Sequence, residues 1–156
     1  MAFDQHRHCA AIGGNERPRR VHISGPGWVR MKACPPAGAT PMMERYDIGP
    51  RMSEMTVHNK VAYLSGQIPE DTSQDITGQT RQVLAEIDKL LALVASDRQH
   101  VLRAEVFLAD IADFDGMNKA WDEWVVEGAT PARATFEAKL AHAEWKVEIV
   151  ITAAVP

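Results

Sequence analysis

The chain has 156 residues, enough for one domain with a real core but not for two full ones. Hydrophobic residues make up 46% and charged residues 24%, an ordinary globular composition, and no run of 18 or more apolar residues is present to span a bilayer. The net charge of −4 is uneven: residues 1–42 hold six Arg or Lys against Asp4 and Glu16, leaving eleven basic and nineteen acidic residues for the remainder. So acidic a remainder is a poor partner for a phosphate backbone, which argues against nucleic-acid binding.

Residues 1–42 carry five of the nine prolines, five of the ten glycines and both cysteines, Cys9 and Cys34. They show no sustained apolar period, so a disordered extension is expected. The stretch lacks the apolar core of a secretory signal, and its prolines and glycines interrupt the amphipathic helix a transit peptide would need. A start assigned too early, with the initiator at Met42 or Met43, is the other open reading. With both cysteines in this segment, no disulfide framework or cysteine metal site is expected, and the domain at 43–156 suits a reducing, cytoplasmic compartment.

From Met43 the punctuation is regular. "MTVHNKVAYLSGQ" reads as two short strands around a turn at His58-Asn59-Lys60, with Val57, Val61 and Tyr63 supplying β propensity and His58 solvated in the turn. "DITGQTRQVLAEIDKLLALVA" places Ile76, Val83, Ile87, Leu90, Leu91 and Val94 on one helical stripe, capped by Asp75 or Thr77. "VLRAEVFLAD" is a third strand, buried on one face through Leu102, Val106 and Leu108. "DFDGMNKAWDEWV" returns to helical period through Phe114, Met117, Trp121, Trp124 and Val125, with Asp113 as its cap.

"ARATFEAKL" and "WKVEIVITAAV" are the last two strands. In the final one, Val147, Ile149 and Ile151 face one way and Glu148, Val150 and Thr152 the other. The order β-β-α-β-α-β-β suits an α+β sandwich, a mixed sheet with two helices on one face. The other face, with Val150, Thr152 and Phe136, is too apolar for open water, so an oligomer is expected.

One residue stands out: Arg133, near the start of "ARATFEAKL". On position alone it either pairs with Glu137 or Glu148 as a structural ion pair, or holds an anionic ligand in a cleft.

The stretches "YLSGQIP", "QTRQVLAEID", "VFLADIADFDGMN", "PARATFEAKL" and "KVEI" stand in an order and at spacings that resemble the RidA family (YjgF/YER/UK114), over roughly residues 44–156. The resemblance implies a chorismate-mutase-like α+β domain, assembled as a homotrimer with a site in each of three clefts between subunits. It also implies hydrolytic deamination of reactive 2-imino acids, such as 2-iminopropanoate and 2-iminobutanoate, to 2-oxo acids and ammonia. Arg133 would then bind the substrate carboxylate through its planar fork, and Glu148 would position or activate the attacking water. Ser65, Gly66 and Thr135 would line the cleft, with Asn118 contributing from the second helix. No metal or organic cofactor is required, and the implied partners are a small imino or oxo acid and further copies of the chain.

The match departs from the best-studied branch of that family. Arg51 follows Gly49-Pro50 where a tyrosine closes over the ligand, Thr135 replaces a cysteine, and "AHAEWK" replaces a leucine-proline-lysine turn. A second arginine at the mouth would favour a dianionic ligand, or else point into solvent. The rival functions are a trimeric binder of small carboxylates such as 2-oxo acids and, against the acidic charge, an endoribonuclease.

Overall fold

The last strand organises the molecule. In a computed structural model, which describes residues 43–156, the elements are β1 (Glu44–Ile48), β2 (Ser53–His58), β3 (Val61–Leu64), α1 (Ile76–Leu93), β4 (Val101–Leu108), α2 (Phe114–Trp124), β5 (Ala132–Glu137) and β6 (Val147–Ala154). The strands form one mixed sheet in the order β1-β2-β3-β6-β4-β5. β6 therefore lies inside the sheet, antiparallel to both β3 and β4, while β4 and β5 run parallel across the α2 crossover. The extension at 1–42, with both cysteines, lies outside the described residues.

Alternation along β6 sets the core. Val147, Ile149, Ile151 and Ala153 are fully buried and join Met55, Ala62 and Leu64 from the hairpin and Ala104, Val106 and Leu108 from β4. Each large aliphatic side chain buried there contributes roughly 1.5–3 kcal/mol. The expected stripe of α1 covers this face, through Ile76, Val83, Ile87, Leu90 and Leu91, and α2 adds Met117, Trp121 and Trp124. This is the expected mixed sheet with two helices on one face.

Asp75 caps α1, its carboxylate accepting from Gly78 N–H at 2.8 Å. α1 and α2 approach closely enough that a Cβ at Gly116 would strike Ile76. The hairpin turn has Asn59 and Lys60 both at positive φ (50° and 61°), the conformation whose twist matches the flanking strands.

Four expectations need correction. β1 is a strand the sequence pattern did not reveal: its only half-buried residue is Tyr46, so it shows no apolar alternation, and backbone pairing to β2 holds it. Leu102 is exposed, because the β4–β6 register slips between Val101 and Arg103 and turns Leu102 away while Val101 goes in. Asp113 makes no capping hydrogen bond; Asp110 caps the short 3₁₀ turn ahead of α2 instead, accepting from Ala112 N–H at 2.9 Å. His58 ends β2 rather than sitting solvated in the turn, and its Nδ1 is buried without a partner among the described residues.

One buried polar side chain ties the loops to this frame. Gln79, fully buried in α1, shares its two Nε2 hydrogens among the carbonyls of Thr72, Gln74 and Glu144, and its Oε1 accepts from Lys146 N–H at 2.9 Å. It thus fixes the entry to β6, one residue before the core begins. Gln79→Leu keeps the bulk but strands these groups, and should lower unfolding free energy by about 3 kcal/mol in urea titrations. A change below about 0.5 kcal/mol would show that water replaces the amide without cost.

Candidate functional site

At the end of β3 the chain leaves the sheet through Ser65-Gly66-Gln67, and a cleft of about 940 Å³ opens there. Glu148 borders it from β6. Alternation forces this placement: with Val147 and Ile149 in the core, Glu148 must face the uncovered side. Its carboxylate lies so close to Gly66 that a Cβ at that position would collide with it, so a larger residue there would have to push the Glu148 carboxylate aside. Gln67, 6% exposed, exchanges both backbone hydrogen bonds with Ile149 (2.8 and 3.0 Å) and locks the loop against β6. Glu148 accepts no hydrogen bond among the described residues.

A carboxylate the sequence reading missed stands beside this group. Glu54 Oε2 accepts from Ser65 Oγ at 2.7 Å and from Gln67 Nε2 at 3.2 Å, and Gln67 Nε2 lies 2.9 Å from Ser65 Oγ. An acidic residue inside a strand is uncommon, and that was its available signal. The cleft is acidic overall: Asp47, Glu54, Glu70, Glu86 and Glu148 line it, against Lys89, which pairs with Glu86 at 2.6 Å. Trp145, from the divergent "AHAEWK" segment, forms part of the wall and packs on His142, with ring centroids 4.4 Å apart.

Arg133 lies elsewhere. In register it pairs with Ala104, which pairs with Ile151, and both are fully buried on the helix-covered face. Arg133 therefore leaves edge strand β5 on that face, and its guanidinium sits over the Trp121 ring of α2 at 4.9 Å. Burial lowers its pKa, an effect that the charge of Asp122 partly offsets. Among the described residues it forms no ion pair; Glu137 instead accepts from Ile111 N–H at 3.1 Å. The structural pairing with Glu137 or Glu148 weighed from sequence is not formed. Thr135 shares the Arg133 face, paired with Val106, and Asn118, one turn before Trp121, has a buried Oδ1 with no partner among the described residues.

The expected site residues thus form two groups. Ser65, Gly66 and Glu148 meet at the acidic cleft; Arg133 and Thr135 lie on the opposite face, at the β5 edge beside α2, the helix that carries Asn118. Within one chain, Arg133 and Glu148 do not converge, because Glu148 pairs with Phe107 and Phe107 with Phe136, a row on the uncovered face. Arg51 stands exposed in the turn that Gly49 N–H closes onto Met52 C=O, next to the cleft wall formed by Asp47 and Met52. Among the described residues, no three His, Cys, Asp or Glu side chains are grouped to hold a metal ion, and no helix is long and apolar enough to cross a membrane.

Comparison with known proteins agrees with this architecture. The family model described as endoribonuclease L-PSP matches residues 46–155. A RutC family protein of Haemophilus ducreyi is 52% identical over 114 residues, 73% of this chain and 97% of that protein. The crystal structure of a YjgF family member from Neisseria meningitidis superposes with a TM-score of 0.73 at 44% identity, over 75% of this chain and 98% of that one. More distantly, the chloroplastic Reactive Intermediate Deaminase A of Arabidopsis thaliana is 31% identical over 108 residues, 65% of this chain and 57% of that protein. With its mixed sheet, its two helices and its "SGQ" loop against the β6 glutamate, the chain belongs to the RutC/YjgF (RidA) family.

Proposed function

We propose that the protein hydrolyses reactive 2-imino acids to 2-oxo acids and ammonia, in clefts completed between copies of a homotrimer. The observation that carries this reading is the Glu148 carboxylate, held against Gly66 at a cleft and accepting no hydrogen bond among the described residues. A carboxylate so placed can take a proton from water and return it. Water attacks C2 of the iminium while Glu148 removes one of its protons, giving a carbinolamine. The same carboxyl group then protonates the amine, the C–N bond breaks, and the C2–OH proton leaves as the oxo group forms. The substrate is already electrophilic, so orientation and proton handling are the whole task.

Orientation calls for a cation, and Arg133, which forms no ion pair among the described residues, stands on β5 with Thr135, beside the helix that carries Asn118. Its lodging on Trp121 contributes about 0.5–1 kcal/mol, less than the 1.5–3 kcal/mol of a hydrogen bond to a charged group, so a substrate carboxylate competes well for its N–H groups. Because Arg133 and Glu148 face opposite sides of one sheet, a second copy must bring its β5 edge to the first copy's cleft. The exposed apolar surface of the open face, with Tyr63 and Phe136 about half exposed and Phe136 stacked on Phe107 at 5.8 Å, suits such an association. The likeness to a plant reactive-intermediate deaminase supports the same chemistry. An endoribonuclease role fits less well, since the carboxylates around the cleft would repel a phosphate backbone.

Imines generated in place by an amino-acid-oxidising enzyme test the reading directly. The wild type should accelerate 2-oxo acid and ammonia release from 2-iminopropanoate and 2-iminobutanoate, and Arg133→Ala should lose about thirty- to a thousandfold in kcat/KM, 2–4 kcal/mol of transition-state stabilisation. No acceleration, with Arg133-dependent binding of 2-oxo acids retained, would leave a carboxylate binder. Sharing of the site between copies has its own check. Arg133→Ala and Glu148→Gln chains, each inactive alone, should on equal mixing and reassembly recover about a quarter of the native sites. Recovery of none would place both residues of a site in one chain.

A further inference from the structure

We infer that Glu54 is a positioning residue that commits the Ser65 hydroxyl to act as a hydrogen-bond acceptor toward the cleft, so that the site selects ligands bearing N–H at C2. The inference rests on the cleft of the proposed deaminase and adds a discriminating element to it. Glu54 and Ser65 face each other across β2 and the end of β3, with Ser65 N–H donating to Glu54 C=O at 2.9 Å. Met55 and Leu64 are buried beneath the helices, so their neighbours Glu54 and Ser65 turn to the open face, where both border the cleft with Glu148.

Hydrogen-bond bookkeeping does the rest. An ionised carboxylate only accepts, so the contact of 2.7 Å from Ser65 Oγ to Glu54 Oε2 uses the one hydroxyl hydrogen. An amide NH₂ only donates, and the two hydrogens of Gln67 Nε2 face three acceptors, Ser65 Oγ at 2.9 Å, Glu54 Oε2 at 3.2 Å and Ser65 C=O at 3.3 Å; the shortest of these contacts occupies one lone pair of Ser65 Oγ. What Ser65 can offer a ligand is its second lone pair. It can receive an iminium or ammonium N–H, but it has no hydrogen for the oxygen of a 2-oxo acid. The negative charge behind it strengthens that acceptor. Nor is Glu54 needed to hold the loop, because Gln67 is already fastened to Ile149 by two backbone hydrogen bonds. Substrate would therefore be favoured over product at the same carbon.

Two ligands with the same carboxylate and carbon chain isolate the effect: 2-aminobutanoate, with N–H at C2, and 2-oxobutanoate, with none. Calorimetric titration of the full-length wild type, Glu54→Gln, Ser65→Ala and the double variant gives the ratio of their Kd values. The wild type should favour 2-aminobutanoate. Either single variant should reduce that preference about tenfold, chiefly by weakening the amino ligand, and the double variant should change it no further. Equal affinities or no binding of either ligand in the wild type, an unchanged ratio in Glu54→Gln, or fully additive effects would each overturn the inference. Should Glu54→Gln fail to fold, Ser65→Ala still decides whether the hydroxyl carries the preference. Turnover of 2-iminobutanoate, measured on the same samples, separates the two readings. A Glu54-dependent preference without turnover defeats the deaminase and leaves this inference standing; turnover with a Glu54-independent preference does the reverse.

Discussion

Everything in this molecule depends on a sheet covered by helices on one side only. β6, paired on both edges, sends Val147, Ile149, Ile151 and Ala153 under α1 and α2 with no exposure left, and so must send Glu148, Val150 and Thr152 to the other side. A strand offers no third direction. The core and the proposed chemistry therefore fall on alternate residues of the same eight-residue segment, and a slip of one position would exchange them.

The same geometry explains why the two charged residues of interest stand apart. Arg133 belongs to the row of Ala104 and Ile151, and Glu148 to the row of Phe107 and Phe136. Neither finds a counter-ion among the described residues, an arrangement that costs stability unless another molecule supplies one or the group stays partly wet. Arg133 takes the second course, lying at a sheet edge on the ring of Trp121. Its β5 strand is an edge with free backbone groups, the kind of border that either meets a partner or must be protected from one.

Close approach in the fold is bought with small or specialised residues at few positions. Gly66 admits the Glu148 carboxylate and Gly116 admits Ile76, each where a methyl group would collide. Gln79 spans from α1 to the loops before it and before β6, and Asp88 joins α1 to α2 by accepting from Trp124 Nε1 at 3.0 Å and from Arg98 at 2.6 Å. These polar contacts add little net stability individually, but leaving any one unmade in a buried setting is expensive. Of these, Gln79 ties the segment that carries Trp145, part of the cleft wall, to α1.

The amino-acid sequence alone determined the periodic parts. The stripe on α1, the alternation of β6 and the pairing of Trp121 with Trp124 follow from local spacing, because a helix or strand repeats its facing with a fixed period whatever surrounds it. Arg133 and Glu148 were legible as charges out of place in apolar strands, while the "SGQ" loop and the roles of all three followed from the family resemblance. Tertiary structure alone decided which of them meet. It set Glu148 against Gly66 through the register of β6 with the loop, turned Leu102 outward at a slip in β4, and recruited β1 by backbone pairing with no apolar pattern of its own. It also brought Glu54 to Ser65, eleven residues along the chain. Those outcomes depend on register and on hydrogen bonds between distant backbone groups, which the identity of the side chains does not encode locally.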